Sequence, residues 1–206
     1  MPRAAMIARA KAYAQRTWQV SNGKRTQPRL RISFDIDDTL ACLPHHAEEE
    51  ASKLPACLHR WLGEPLRSGT RTLMRELRRQ GCSIWIYTSS GRTPAYIRRW
   101  LMLYGIHVDG VVNSDRHQQV LAANGLAKAP SKYPPAFAID LHVDDSEGVG
   151  IEGHEHGFRV VVVDPRDAGW AQKVKHAAEQ LQAQLAWQQS RRHDVAAQRL
   201  AALASS

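Results

Sequence analysis

Asp35 and Asp37 lie two residues apart in Asp35-Ile36-Asp37-Asp38-Thr39-Leu40, directly after the apolar run Leu30 to Phe34. If the chain stays extended there, both side chains project to the same side. Two carboxylates that close repel each other unless a cation or a proton sits between them. A second acidic pair, Asp144-Asp145, follows Leu141-His142-Val143. If both pairs reach one pocket, the four carboxylates call for a divalent cation. Oxygen donors suit Mg²⁺ better than zinc, and no Cys or His cluster competes for the role. Taken alone, the first pair also fits a helix cap or a turn.

The surrounding elements decide between these readings. Apolar runs predict strands at 30–34, 82–87, 108–112, 136–143 and 158–163. Apolar residues three and four apart predict helices at 70–80, 94–103 and 116–123, and a long Ala/Gln-rich helix from Gly169 to about Ala201. Gly81, Gly105 and Asn124-Gly125 are stop signals beyond three of them. Alternating strands and helices imply an α/β, Rossmann-like three-layer sandwich around a parallel sheet of about five strands. In such a sheet ligands bind at the carboxyl ends of the strands. Asp35 and Asp37, Thr88-Ser89, and Asp144-Asp145 all sit there.

With this order in view, the chain resembles the haloacid dehalogenase (HAD) superfamily over roughly residues 30–165. Asp35 to Thr39 looks like its DxDxT signature, and Thr88 like the Ser or Thr that closes its second strand. Lys132 resembles the third-motif lysine, with Lys128 as the alternative, and Asp144-Asp145 the acidic fourth motif. The resemblance implies a Mg²⁺-dependent phosphomonoester hydrolase. Asp35 would be the nucleophile that forms an aspartyl-phosphate. Asp37 would be the general acid and then the base, with its carbonyl on the metal. Thr88 and Lys132 would hold the phosphoryl group and offset its charge. Asp35, Asp37, Asp145 and Asp144 would hold Mg²⁺, with Asp145 preferred as the direct ligand. Thr39 would steady the loop. An aspartate at position 37 points, within that family, to phosphatases rather than dehalogenases.

Substrate selection in the family usually comes from cap insertions. Only residues 41–68 are free for one here, so the resemblance implies a small flap in place of a full cap domain. Candidate substrate contacts are His45 and His46 in that insert, Thr39, Ser89 and Arg92. His154 and His156, in Gly153-His154-Glu155-His156-Gly157, read as a surface loop near the site rim. The pattern is not the HExxH of zinc proteases. His142 reads as a satisfied buried or rim histidine, Trp85 and Trp100 as core, and Arg98-Arg99 as a solvated helix face.

Composition bounds the rest. The chain has 206 residues, with 43% hydrophobic and 23% charged, in the globular range. Three dispersed cysteines form no CxxC pair, which fits a reducing, cytoplasmic setting. Residues 1–34 hold eight basic side chains and no acidic one, and the remainder is formally neutral. Three segments follow: a basic extension at 1–28, helix plus linker; a core at 29–170; and a C-terminal helix and tail at 171–206. The basic arm is a solvated extension, a nucleic-acid contact or an organellar targeting segment. The expected partner is a phosphorylated small molecule, with no membrane involved. Two alternatives stand beside it: a non-catalytic module of this fold, or a phosphatase of nucleic-acid ends or phosphoproteins that uses the arm.

Overall fold

The computed structural model describes residues 29–41, 47–51, 55, 63–123 and 130–204, with side chains to residue 191. The elements are β1 (Arg31–Phe34), α1 (Thr70–Arg79), β2 (Ser83–Tyr87), α2 (Pro94–Leu103), β3 (Gly110–Val112), α3 (Ser114–Ala123), β4 (Leu141–Asp144), α4 (Glu147–His156), β5 (Val160–Val162) and α5 (Trp170–Ala204). The five strands form one parallel sheet in the order β3-β2-β1-β4-β5. Its helices cover both faces.

The two-residue period of the strands sorts the core. Ile32, Phe34, Ile84, Ile86, Leu141 and Val143 meet Leu73, Leu77, Trp100, Val174 and Leu181 from α1, α2 and α5 on one face. Trp85, Tyr87, Val112 and Val160 turn to the other, toward Tyr133, Phe137, Val149 and Phe158. The first half of α5 therefore packs into the main core through Val174, Ala178 and Leu181.

Chain order reverses direction between β1 and β4, and this places a crevice beyond their carboxyl ends. Phe34 pairs with Val143 and Ser33 with His142. Asp35 continues the ladder, its N–H donating to the Val143 carbonyl at 2.9 Å. Asp35 and Asp144 thus leave adjacent strands at the same level and on the same face.

Two expectations need correction. The strand expected at 136–143 is a 3₁₀ turn at Pro134–Phe137 followed by the short β4. Pro134 and Pro135 start the turn, and it ends at Ala138 in the left-handed region (φ 52°), so residues 136–138 are not extended. The segment around His154 and His156 is not a loop but the last turn of α4, capped at its start by the Ser146 hydroxyl. Gly148, Gly150 and Gly153 argue against a helix by propensity. Gly150 and Gly153 are where α4 lies hard against β5. A methyl at Gly150 would come within 2.8 Å of Val162 Cγ2, and one at Gly153 within 2.7 Å of Val160 Cγ2. The other elements lie within a few residues of their expected bounds. The helix expected within 1–28 and much of the flap expected at 41–68 lie outside the described residues.

Arg67 ties the entry to α1 onto this frame. It is buried, its guanidinium donates to the carbonyls of Asp164 (2.7 Å), Asp167 (2.8 Å) and Thr39 (3.5 Å), and it lies 4.7 Å over the Trp170 ring. Removing it strands several buried acceptors at once. Arg67→Ala is expected to lower the stability by about 3 kcal/mol in chemical denaturation, and Arg67→Lys to recover only part of that.

Candidate active site

The crevice gathers side chains from both central strands. The Lys132 ammonium lies 2.8 Å from Asp35 Oδ1 and 2.6 Å from Asp144 Oδ2. All three side chains are buried. Lys132 arrives on the segment just before the 3₁₀ turn. Two anions in so little water would not coexist without such a cation between them.

Asp144 is the more completely held of the two. Its Oδ2 accepts from Lys132 and, at 2.9 Å, from His142 Nε2, while its Oδ1 accepts from the Ser146 N–H at 2.9 Å. A carboxylate only accepts, so His142 Nε2 carries the proton and Nδ1 accepts from the Ser33 hydroxyl at 2.8 Å. His142 is fully buried, and burial lowers its pKa despite the Asp144 contact. Burial pushes Asp144 up, but the His142 hydrogen bond and the Lys132 charge outweigh it and hold the acid down at about 2.

Asp35 is treated differently. Burial raises it to about 6, against the pull of Lys132, and Asp144 adds to the rise. Its Oδ1 is buried and has no aligned hydrogen-bond donor, because Lys132 approaches out of line. Asp145 is half-buried and accepts from the Thr39 hydroxyl at 3.2 Å; burial and the Asp144 charge raise its pKa. Asp35, Asp144 and Asp145 each offer an oxygen within 4.8 Å of the others, the cluster among the described residues with metal-binding geometry. Its donors are hard oxygens. That set fits a divalent cation such as Mg²⁺.

The loop after β1 turns tightly, with Asp38 at φ 54° and the N–H groups of Leu40 and Ala41 both returning to the Ile36 carbonyl. The turn carries Asp37 to the mouth, where its side chain is 56% exposed and Arg92 grips both oxygens, at 2.7 and 2.9 Å. Thr88 is buried at the end of β2, and its hydroxyl donates to Ser90 Oγ at 3.2 Å. Ser89 is exposed. His45, His46 and Lys128 lie outside the described residues. His154 and His156 occupy the end of α4, away from its N-terminus beside Asp144.

Sequence reasoning missed Glu64, which binds Arg92 from the other side, and Ser90, which organises the loop after β2. Neither carries a motif. Arg92 five residues after the end of a strand was the available signal, since an arginine at a carboxylate-rich mouth calls for acceptors.

These features define an α/β domain with a carboxylate–lysine site at its topological switch. No known family model and no curated protein matches the chain. Among solved structures, one described as a predicted HAD-like family hydrolase from Porphyromonas gingivalis is 14% identical, with a TM-score of 0.38, over 68% of this chain and 94% of that one. A likeness of that degree adds no weight, so the reading of function rests on the residues themselves. No helix among the described residues is long and apolar enough to cross a membrane.

The raised pKa of Asp35 has a measurable sign. A carboxyl whose folded pKa of about 6 exceeds its unfolded value of 3.8 binds its proton more tightly when folded. Its ionisation therefore costs stability as pH rises from about 4 through about 6, and the loss levels off above that. In metal-free protein, Asp35→Asn is expected to raise the melting temperature at pH 7.5, with the gain shrinking toward pH 4. Added Mg²⁺ should stabilise the parent and leave Asp35→Asn nearly unmoved. Equal melting of the two proteins across that range would contradict the assignment.

Proposed function

We propose that the chain is a metal-dependent phosphomonoester hydrolase of the HAD type, acting on a phosphorylated small molecule. The observation that carries this reading is the shared Lys132 contact to Asp35 and Asp144 beside Asp145, at the carboxyl ends of β1 and β4. Asp35 lies buried at the end of β1 against the Lys132 ammonium, and is the candidate nucleophile.

The residues divide the work as follows. Asp35 attacks phosphorus, the ester oxygen leaves, and an aspartyl-phosphate forms. Asp37 gives the leaving oxygen its proton and later takes one from the water that hydrolyses the intermediate. Lys132 offsets charge on Asp35 and on the phosphoryl oxygens, and Thr88 offers a hydroxyl to the same oxygens. Asp144 is already committed to Lys132, His142 and the Ser146 N–H, so its principal task is to hold Lys132. Asp35 and Asp145 are then the better donors for Mg²⁺. When bound, the cation supplies positive charge that lowers the repulsion between the nucleophile and the phosphate.

The test is hydrolysis of p-nitrophenyl phosphate by the purified chain. The expected result is activity that needs Mg²⁺, stops with EDTA, and falls by at least ~10³-fold in Asp35→Asn. Lys132→Ala should cost about 10²-fold. A folded, Mg²⁺-binding protein that cleaves no phosphate ester would instead favour a binding module of this fold.

A further inference from the structure

One guanidinium stands between two carboxylates at the mouth of the site. Arg92 Nη1 and Nη2 donate to the two oxygens of Asp37, at 2.9 and 2.7 Å. Its Nε and Nη2 donate to the two oxygens of Glu64, at 2.8 and 2.7 Å. Both edges of the planar fork are therefore filled in bidentate fashion, the strongest geometry a guanidinium offers. The flanking carboxylates raise the Arg92 pKa, so the charge is permanent.

The two carboxylates are not equivalent. Glu64 is fixed. The Tyr96 hydroxyl donates to its Oε1 at 2.9 Å, and its main-chain carbonyl accepts from Trp100 Nε1 at 2.7 Å and the Tyr104 hydroxyl at 3.1 Å. These three aromatic residues lie on α2 or at its end, and Trp100 is wholly buried. Arg92 itself is tied at the main chain, where its carbonyl accepts from Asn113 Nδ2 at 3.3 Å. Asp37 is half-exposed on a turn, and among the described residues Arg92 is the cation that holds its carboxylate.

We infer that Glu64 is a positioning residue: it locks the plane of Arg92 and, through it, places the Asp37 carboxylate. The inference rests on the reading of Asp37 as the acid and base of a phosphatase. A rim ion pair between two free side chains contributes little. Here the cost of ordering is met by helix α2, which holds Glu64 through a buried tryptophan and two tyrosines. An acid on a solvent-facing turn samples several rotamers, and proton transfer needs one of them. Arg92 cannot select that rotamer unless its own plane is set, and Glu64 sets it. The segment ahead of α1 thereby reaches the chemistry without touching the phosphoryl group.

Two measurements test this separately. The first is the crystal structure of Glu64→Ala. The Arg92 guanidinium is expected to rotate, with Asp37 leaving the bidentate pair. An unchanged Arg92–Asp37 pair would overturn the inference whatever the activity. The second compares phosphate esters of poor and good leaving groups. In Glu64→Ala, kcat for an alkyl phosphate is expected to fall about 30-fold, against ~10³-fold in Asp37→Asn. The pre-steady-state release of p-nitrophenolate, which needs no proton, should stay within about twofold of the parent. In an Asp37→Asn background, Glu64→Ala should add almost nothing, and Glu64→Gln should restore part of the single-variant loss. Equal slowing of good and poor leaving groups, or a full additional loss without Asp37, would show general damage and sink the proposal. A parent protein that cleaves no ester would remove the phosphatase reading and the catalytic role of Glu64 with it. An active parent with an unchanged Glu64→Ala would remove only the latter.

Discussion

Two buried carboxylates share one lysine, and the site is built around that contact. Asp35 and Asp144 leave neighbouring strands at the same level, so their repulsion is set by the sheet and cannot relax. Lys132, 2.8 and 2.6 Å away, makes the pair tolerable. The compensation is uneven by design of the surroundings. His142 and the Ser146 N–H complete the shell of Asp144 and settle its charge, whereas Asp35 keeps an oxygen without an aligned donor. Burial raises one acid to about 6 while hydrogen bonds and charge depress the other to about 2. Environment has driven two like groups apart, and such separation is how adjacent carboxylates come to hold different roles.

The supporting shell explains why a polar chain runs through the sheet. Ser33 and His142 stand opposite each other in the β1–β4 ladder and face the same side as Asp35 and Asp144, two residues further on. An apolar pair there would pack as well. Only a donor at 142 can reach the Asp144 oxygen that Lys132 also uses, and only a hydroxyl at 33 can satisfy the remaining imidazole nitrogen. Tyr87 seats its ring 5.5 Å from His142 and closes the group from β2. The register of two strands thus fixes a tautomer, a carboxylate orientation and the seat of the lysine.

The parts legible in the sequence were those where one residue type has one job. Carboxylates at strand ends, β-branched runs and helical spacing located the sheet, most helices and the acidic cluster around Asp35 and Asp144. What escaped was structure that depends on close approach or on pairing at long range. The glycines of α4 read as a loop because their reason, contact with Val160 and Val162, is tertiary. The 3₁₀ turn that opens at Pro134 takes up the start of what looks like one apolar strand. Glu64 is an unremarked acid in a proline-containing stretch, and its use appears only when α2 folds beside it. His142 was read as a satisfied buried histidine, and it is one; the partner that gives it a purpose is 109 residues away at Ser33.

The short stretch before α1 orders the mouth of the site. Arg67 anchors it below, donating to the Thr39 carbonyl of the turn after β1 and to the carbonyls of Asp164 and Asp167. Glu64, three residues earlier, anchors it above through α2 and Arg92. One arginine holds the turn that carries Thr39, and the other holds the carboxylate of Asp37 on the same turn. Both guanidinium groups are thus engaged by bonds that order the turn, and Lys132 is the cation that faces the buried carboxylates inside the crevice.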